Sequence, residues 1–148
     1  MDVIFDIDGT LADVSHRVHH LRGPGRKDWP AFFAGMADDL PRTQIVTLAR
    51  MLDAAGARLI LCSGRYESHR RTTRDWLVRH AGDWLAGRPL YLRADGDQRA
   101  DDVVKIELLQ CMRLDGFDPV MAIDDRDRVV RAWRRAGLVC LQCAEGDF

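Results

Sequence analysis

Two aspartates near the amino terminus lie in the segment Phe5-Asp6-Ile7-Asp8-Gly9-Thr10, two positions apart. In extended backbone, side chains with this spacing lean to the same side of the chain. One carboxylate can then attack an electrophilic centre while the other exchanges a proton with the leaving oxygen. Gly9 and Thr10 let the backbone turn closely past a phosphate group. The spacing of Asp6 and Asp8 therefore predicts chemistry on a phosphoryl group.

Polar residues also follow two later apolar runs. Ser63-Gly64-Arg65 follows the run 58–62, and Asp124-Asp125 follows the run 120–123. A hydroxyl and accessible backbone N–H groups can hold phosphoryl oxygens at a helix start, which is the role we expect of Ser63 and Gly64. Carboxylates gathered at one place repel one another unless a cation lies among them, and their hard oxygens favour Mg²⁺. We therefore expect a Mg²⁺ site formed by Asp6, Asp8, Asp124 and Asp125.

Lys105 follows Asp101 by four residues, so both lie on one face of a predicted helix. Taken alone, an Asp–Lys pair at this spacing is typical of a solvated surface pair of small energy. Asp102, in the same first turn, suits the positive end of the helix dipole. The spacing by itself thus favours a structural interpretation of Lys105.

The elements that must position these residues alternate along the chain. Buried strands are predicted at 3–5, 58–62, 90–92, 120–123 and 138–141, and helices at about 41–56, 67–80, 102–112 and 126–136. This alternation predicts an α/β fold with a doubly wound, Rossmann-like parallel sheet. Because ligands of such sheets bind beyond the carboxyl ends of the strands, the polar groups after each strand should meet at one edge. Residues 15–40 break the pattern and predict a small, helical, cap-like insertion after the first strand.

Length and composition restrict the classes of function. The 148 residues, 47% of them hydrophobic, fit a single domain over residues 1–148. The net charge of −1 argues against a protein that coats nucleic acid nonspecifically. No apolar run approaches the roughly 20 residues that cross a bilayer, and the first strand begins too early for a signal peptide. We expect a soluble, cytoplasmic protein with no membrane partner.

Four motifs together resemble the haloacid dehalogenase superfamily of phosphatases. Phe-Asp-Ile-Asp-Gly-Thr resembles the first motif, Cys62-Ser63-Gly64-Arg65 the second, Lys105 the third, and Ile123-Asp124-Asp125-Arg126 the fourth. The resemblance implies that Asp6 becomes a transient aspartyl-phosphate and that Asp8 acts first as general acid and then as base. It also implies that Ser63 and Lys105 hold the phosphoryl group, and that Asp124, by a direct bond, and Asp125 anchor Mg²⁺.

A narrower resemblance concerns the 3′-phosphatase half of bacteriophage polynucleotide kinase-phosphatases. It rests on Ser-Gly-Arg, on Asp101-Asp102-Val103-Val104-Lys105, on the run 122–137 and on the tail Gly146-Asp147-Phe148. It implies that Arg17, Arg65 and Asp101 bind substrate together with Ser63, Gly64 and Lys105. It implies a bacterial or phage-infected cell as the setting, with a separate kinase or ligase as the candidate protein partner. Because no Gly-x-x-x-x-Gly-Lys-Ser/Thr loop occurs in the sequence, we expect no 5′-kinase activity.

Three functions remain open from the sequence. The first is removal of a 3′-terminal phosphate, or of a 2′,3′-cyclic phosphate, from a nucleic-acid end or nucleotide, with a basic run at 65–74 that would meet a neighbouring phosphate. As a bare charge run, the same segment is more typical of a solvated helix face. The second is a nucleotidase or small-molecule phosphatase that uses Trp29, Phe32 and Phe33 as a lid, although aromatic residues more often serve packing. The third is a catalytically silent module that binds phosphorylated ends.

Overall fold

The computed structural model describes residues 1–147, so Phe148 of the predicted tail motif lies outside the described residues. Seven segments of the described residues form β-strands. They are β1 (Asp2–Phe5), β2 (Ala12–Asp13), β3 (Leu40–Pro41), β4 (Arg58–Tyr66), β5 (Leu90–Arg93), β6 (Pro119–Asp124) and β7 (Val139–Gln142). The five longer strands form one sheet in the order β5-β4-β1-β6-β7, and every neighbouring pair is parallel. The predicted doubly wound parallel sheet is confirmed.

Six α-helices connect or flank these strands. They are α1 (Trp29–Ala34), α2 (Thr43–Ala54), α3 (Arg70–His80), α4 (Asp83–Ala86), α5 (Asp101–Leu114) and α6 (Asp127–Arg135), and short 3-10 turns span Val18–Leu21, Met36–Asp38 and Glu67–His69. Among residues 1–147, none of the helices combines the length and the apolar character that crossing a membrane requires.

The core lies on both faces of the sheet. Along β1, Val3 and Phe5 contribute to a cluster with Trp76 and Leu77 of α3, whereas Ile4 belongs to a second cluster with Trp133 of α6. Side chains in a strand alternate between the two faces, and a parallel sheet covered by helices on both sides buries all of them. This explains why the central strand reads as a continuous apolar run. It also leaves the carboxyl ends of the strands as the place where polar groups can gather.

The insertion after the first strand has its own small core. Val14, Leu21 and Phe32 are buried together, and the short antiparallel pair of β2 and β3 joins the two ends of the insertion. Asp28 accepts a hydrogen bond from the backbone N–H of Ala31 and so caps α1, and Pro30 stands at a helix start, where its missing N–H has no consequence. The predicted helical insertion is thereby located over residues 14–41.

Two local predictions were wrong in position, and one short helix was missed. Pro41 does not start a helix: it lies in β3, and α2 begins at Thr43. The second long strand does not end at residue 62 but continues to Tyr66, with a register shift between Ser63 and Tyr66. A bulge of this kind adds residues to one strand and re-aims their side chains, which the apolar pattern of 58–62 could not reveal. The helix α4 was not predicted, because its four residues are too short for a periodic signal.

Candidate active site

Three carboxylates meet at the carboxyl ends of β1 and β6. Asp6 directly follows β1, Asp124 is the last residue of β6, and Asp125 follows it. Because Phe5 pairs with Ile123 in parallel register, the residues after each are brought side by side. Asp6, Asp124 and Asp125 are all buried, and each offers an oxygen within 4.8 Å of the others. We call these three residues the carboxylate cluster.

Lys105 of α5 reaches into the carboxylate cluster. Its Nζ donates to Asp6 Oδ1 at 2.6 Å and to Asp124 Oδ2 at 2.9 Å, and it lies 3.8 Å from Asp101 Oδ2. The Lys105 side chain is 2% exposed. The surface pair that the spacing of Asp101 and Lys105 alone favoured is therefore a buried pair, because α5 packs with this face against the sheet.

The charges of the carboxylate cluster are not balanced within the protein. Burial raises the pKa of Asp6 well above its ordinary value; Lys105 opposes this rise, and the neighbouring carboxylates of Asp124 and Asp125 add to it. Burial, with a further contribution from Asp124, raises the pKa of Asp125 to about 7. Burial lowers the pKa of Lys105, but Asp124 and Asp6 raise it more, so the ammonium group stays charged. Three buried carboxylates against one ammonium fit a further cation, and the all-oxygen donor set fits Mg²⁺.

Neighbouring groups hold the carboxylates of β6 in place. Trp133 Nε1 donates to Asp124 Oδ2 at 3.1 Å, and the backbone N–H of Arg126 donates to Asp124 Oδ1 at 3.2 Å. Thr10 Oγ1 donates to Asp125 Oδ1 at 3.3 Å. Gly9 adopts a positive φ of 89°, and a Cβ at that position would overlap the Asp125 carboxylate. Gly9 and Thr10 thus hold the side chain of Asp125 in position.

Asp8 lies outside the carboxylate cluster and faces two arginines instead. Arg17 donates from one terminal guanidinium nitrogen to Asp8 Oδ1 at 2.6 Å. Arg65 donates to the same carboxylate from Nε at 3.0 Å and from a terminal nitrogen at 2.6 Å. Both arginine side chains are buried. The carboxylate that was predicted as a fourth metal ligand is therefore engaged by guanidinium groups, and its role at the metal stays a prediction.

A buried carboxylate that the sequence analysis missed completes this arrangement. Asp39 Oδ1 accepts from Arg17 Nε at 2.6 Å, and Asp39 Oδ2 accepts from a terminal nitrogen of Arg17 at 2.6 Å and of Arg65 at 3.3 Å. His16 Nε2 lies 2.8 Å from Asp39 Oδ1. Asp39 stands between the 3-10 turn Met36–Asp38 and β3, and no motif marks it. We call Asp8, Asp39, Arg17 and Arg65 the guanidinium cluster.

The guanidinium cluster sets the charge state of Asp8. Burial acts to raise the pKa of Asp8, but the guanidinium groups of Arg65 and Arg17 outweigh it and hold that pKa well below its usual range. Asp8 is consequently ionised in the resting protein, with both oxygens accepting hydrogen bonds. As it stands, this carboxylate is ready to accept a proton rather than to donate one.

Ser63 and Gly64 line the same cavity as Asp6 and Lys105. They lie in the bulged end of β4, not at a helix start as predicted, because α3 begins only at Arg70. Ser63 is fully buried, and its Oγ accepts from the backbone N–H of Arg65 at 3.2 Å. A Cβ on Gly64 would overlap the Asp101 carboxylate, so a glycine is needed for this close approach.

Asp101 is surrounded by cations. Besides Lys105, its oxygens lie 3.1 Å from a terminal nitrogen of Arg93 and 3.5 Å from a terminal nitrogen of Arg126. Burial acts to raise its pKa, but Lys105, Arg126 and Arg93 together lower it. Its contacts with the protein are those of a residue that positions Lys105, and its predicted contact with substrate stays a prediction.

The predicted basic run does not act as one surface. Arg65 is buried in the guanidinium cluster, whereas Arg70 pairs with Glu67 and donates to the Leu90 carbonyl. Arg74 donates to backbone carbonyls of Ala86 and Arg88. Consecutive residues of a helix point in different directions, so a cluster of charges in the sequence need not form a patch. Only Arg65 of the four arginines in this run reaches the reactive carboxylates among the described residues.

The fold and the site define the class of the protein. A parallel α/β sheet that carries aspartates at its strand ends and a buried lysine beside them is typical of phosphatases of the haloacid dehalogenase type, and this protein is one of them. The class can be narrowed further. The chain belongs to the polynucleotide kinase PNKP phosphatase domain family, whose profile matches residues 1–148. Both levels of the resemblance seen in the sequence are thereby confirmed.

Solved structures agree with this assignment. The structure titled "Structure of Pnkp1/Rnl/Hen1 complex" is 31% identical, with a TM-score of 0.80 over 99% of this chain and 46% of that chain. The "Pnkp1/Rnl/Hen1 RNA repair complex" is 30% identical, with a TM-score of 0.78 over 99% of this chain and 43% of that chain. This chain thus spans less than half the length of these neighbours. The class C acid phosphatase from Bacillus anthracis, 18% identical over 90% of this chain and 58% of that chain, shares the fold with a TM-score of 0.60.

Proposed function

We propose that this protein is a Mg²⁺-dependent phosphatase that removes the 3′-terminal phosphate from nucleic-acid ends through an aspartyl-phosphate on Asp6. The observation that carries the proposal is the Asp6 carboxylate, which Lys105 Nζ holds at 2.6 Å inside a buried cluster that fits a divalent cation. Asp8, two residues later, supplies the second carboxylate that a two-step displacement needs. The family of the chain supports phosphate esters as substrates.

In the first step, a carboxylate oxygen of Asp6 forms a bond to phosphorus while the bond between phosphorus and the 3′ oxygen breaks. The leaving oxygen takes a proton from Asp8. Because Asp8 is ionised at rest, it must first be protonated, and this becomes easier when phosphoryl oxygens draw the guanidinium groups of Arg17 and Arg65 away from it. Arg17 and Arg65 thus couple substrate binding to the protonation of Asp8.

In the second step, water replaces the carboxylate of Asp6 at phosphorus. Asp8, ionised after its first transfer, accepts the proton of that water, and inorganic phosphate leaves while Asp6 regains its charge. Lys105 remains beside Asp6 throughout and balances the negative charge that builds on the phosphoryl oxygens. Ser63 and Gly64 line the same part of the cavity and are proposed to hold those oxygens.

Asp6, Asp124 and Asp125 are the residues that would hold Mg²⁺. When bound, the cation neutralises the phosphoryl oxygens and the surplus charge of the carboxylates, which favours attack by one anion on another. Trp133, Thr10 and the backbone N–H of Arg126 orient the β6 carboxylates for this task. Such supporting hydrogen bonds fix the direction of metal-binding oxygens.

The nature of the substrate is proposed from the neighbours. Two structures that cover 99% of this chain belong to Pnkp1/Rnl/Hen1 complexes, one of them titled an RNA repair complex. This supports RNA 3′ ends as substrates, and a kinase or ligase that acts on the same nucleic acid as a partner; the 2′,3′-cyclic phosphate is proposed as a second substrate. A nucleotidase of the same fold is the alternative function. The complete set of charged groups around Asp6 argues against a silent binding module.

A substrate panel tests the proposal. One single-stranded oligonucleotide would be prepared with a 3′-phosphate, a 5′-phosphate or a 2′,3′-cyclic phosphate and compared with 3′- and 5′-mononucleotides, each with Mg²⁺ or with EDTA. We expect release of phosphate from the 3′-phosphorylated oligonucleotide in Mg²⁺ alone, and Asp6→Asn as the matched control excludes a contaminating enzyme. A preference for 5′ esters would contradict the proposal, and binding of 3′-phosphorylated ends without hydrolysis would favour the silent module.

A further inference from the structure

Three aromatic rings form a continuous row along one wall of the cavity. Trp29 and Phe33 of α1 stack with ring centroids 5.9 Å apart at 28°, and Phe33 meets Tyr66 at 5.6 Å in an edge-to-face arrangement. All three residues line the cavity that contains Asp6. We call Trp29, Phe33 and Tyr66 the aromatic row.

Packing explains only part of the aromatic row, because Trp29 and Phe33 pack against the small core of the insertion and still line the cavity. Phe32, between Trp29 and Phe33 in the sequence, is the ring that α1 buries, and it lies 4.0 Å from the Arg17 guanidinium. Trp29 and Phe33 are four residues apart and lie one above the other on α1 beside Phe32, but both rings remain half-buried. A half-buried aromatic face that looks into a cavity offers a flat surface to a planar ligand.

The aromatic row begins and ends beside the reactive groups. Tyr66 directly follows Arg65 of the guanidinium cluster. At the other end, the Arg126 guanidinium carbon lies 5.7 Å from the Trp29 ring centroid, and Arg126 in turn contacts Asp101, the neighbour of Lys105. A ligand whose phosphoryl group sits at Asp6 therefore has its remaining parts next to these rings.

A group of cations lies at the Trp29 end of the row. Lys27 lies 5.9 Å from the Trp29 ring centroid, and Lys27, Arg126 and Arg128 all line the cavity. Burial lowers the pKa of Lys27, and the positive charges of Arg126 and Arg128 lower it further. Arg128 pairs with Asp102 at 3.0 Å, but within residues 1–147 no carboxylate pairs with Lys27. Cations that repel one another in this way favour an anion among them.

We infer that the aromatic row stacks the terminal base of the substrate and that Lys27, with Arg126 and Arg128, binds the phosphate on the 5′ side of that nucleotide. Stacking on aromatic rings beside a cationic track is how proteins hold single-stranded nucleic acid without reading its sequence. The cavity volume of about 1430 Å³ exceeds what one small ligand fills, since such sites span roughly 300–1,000 Å³. The inference rests on the proposed function and names its substrate as a single strand of at least two nucleotides.

The test compares three substrates and two cavity variants. The substrates are a 3′-phosphorylated dinucleotide, the same compound with a stable tetrahydrofuran abasic terminal residue, and phenyl phosphate, which carries the reactive ester but no second phosphate. The variants are Lys27→Ala and Trp29→Ala. Arg71→Ala is the matched control, because Arg71 is exposed and lies outside the cavity. Far-UV circular dichroism and thermal melting of each variant report whether it folds. If Trp29→Ala proves unstable, Lys27→Ala still tests the inference, because Lys27 is exposed.

We expect loss of the terminal base to lower kcat/KM by about 10-fold, as the stacking of one base predicts. Trp29→Ala should remove most of the difference between the intact and the abasic dinucleotide. Lys27→Ala should raise KM for the dinucleotide several-fold more than for phenyl phosphate and should flatten its dependence on salt, because one phosphate contact is lost. Arg71→Ala should match the wild type on all three substrates.

The inference is overturned if the abasic and intact dinucleotides are cleaved equally well, or if Lys27→Ala and Arg71→Ala behave alike on the dinucleotide. Failure of the proposed function has a different signature. In that case, the wild-type protein would hydrolyse phenyl phosphate but neither 3′-phosphorylated dinucleotide. The two results are distinguishable in the same set of assays.

Discussion

The carboxylate cluster and the guanidinium cluster are separated by a single residue of the chain, Ile7, yet their charges are arranged in opposite ways. In the carboxylate cluster, three buried aspartates gather near one ammonium group, that of Lys105, which pairs with Asp6 and Asp124. In the guanidinium cluster, Asp8 and Asp39 face Arg17 and Arg65, so two negative charges meet two positive ones. One cluster has surplus negative charge, and the other is balanced.

This difference teaches how two aspartates of one motif acquire different chemistry. Burial, with the neighbouring carboxylates of Asp124 and Asp125, raises the pKa of Asp6, and the surplus of carboxylates fits a cation. The two arginines lower the pKa of Asp8 and fix the direction of its oxygens. Environments that push the pKa values of two carboxylates apart are a general sign that the two play separate roles in catalysis.

The largest effect is expected from Asp6→Asn. An amide is nearly isosteric with a carboxylate but cannot attack phosphorus, so turnover should fall by about four orders of magnitude or more. The measurement is release of phosphate from a 3′-phosphorylated oligonucleotide, with circular dichroism to confirm that the variant folds. Residual activity within 10-fold of the wild type would refute Asp6 as the nucleophile.

The pH dependence of stability should distinguish the clusters in metal-free protein. Folded Asp125 keeps its proton up to about pH 7, whereas the unfolded carboxyl loses it near pH 4, so its contribution lowers the free energy of unfolding as pH rises from 4 to 7. Asp8 affects stability in the opposite direction. Its ionised form adds to the free energy of unfolding above pH 4, and this contribution is lost as pH falls through the lowered pKa of Asp8 in the folded protein.

Asp125→Asn should therefore stabilise the metal-free protein at pH 8 by about 4 kcal/mol and have little effect at pH 4. Denaturant unfolding in EDTA at the two pH values measures this difference. An equal effect of Asp125→Asn at pH 4 and pH 8 would show that charge repulsion does not govern the carboxylate cluster.

Asp39→Asn should unbalance the guanidinium cluster. Removal of one carboxylate leaves Arg17 and Arg65 buried with too little negative charge, which should cost about 3 kcal/mol of stability. Because both arginines then move with respect to Asp8, kcat should fall by about 10-fold. Asp38→Asn is the matched control, since Asp38 is the exposed neighbour. If the two variants have the same stability and the same kcat, Asp39 has no positioning role.

The smallest effect is expected from Mg²⁺ on stability. Binding to the folded protein at about 100 times the dissociation constant contributes about 2.7 kcal/mol and should raise the melting temperature by roughly 8 °C. Asp125→Asn should reduce this increase, and Asp39→Asn should retain it, since Asp39 belongs to the balanced cluster. A metal-induced shift that disappears in Asp39→Asn instead would contradict the division into two clusters.

The sequence by itself determined the five long strands, their parallel arrangement and the residues that follow them. Asp6, Asp124, Asp125 and Ser63 were predictable because a buried strand has a strong apolar signal and its carboxyl end is the functional edge. Lys105, Arg17, Arg65 and Asp101 were identified only by the family resemblance. Spacing along the chain says nothing about which distant groups a side chain meets.

Only the tertiary structure decided which cationic side chains pair with which carboxylates. Asp39 carries no motif, and the arginines that donate to it, Arg17 through two nitrogens and Arg65 through one, lie 22 and 26 residues away along the chain. The end of β4 at Tyr66 depends on a bulge against β5 that the apolar pattern does not encode. Asp6 and Asp8, the proposed nucleophile and proton carrier, are alike in the sequence. They differ because packing places one among carboxylates and the other between guanidinium groups, and electrostatic interactions act over ångströms of space rather than positions in a chain.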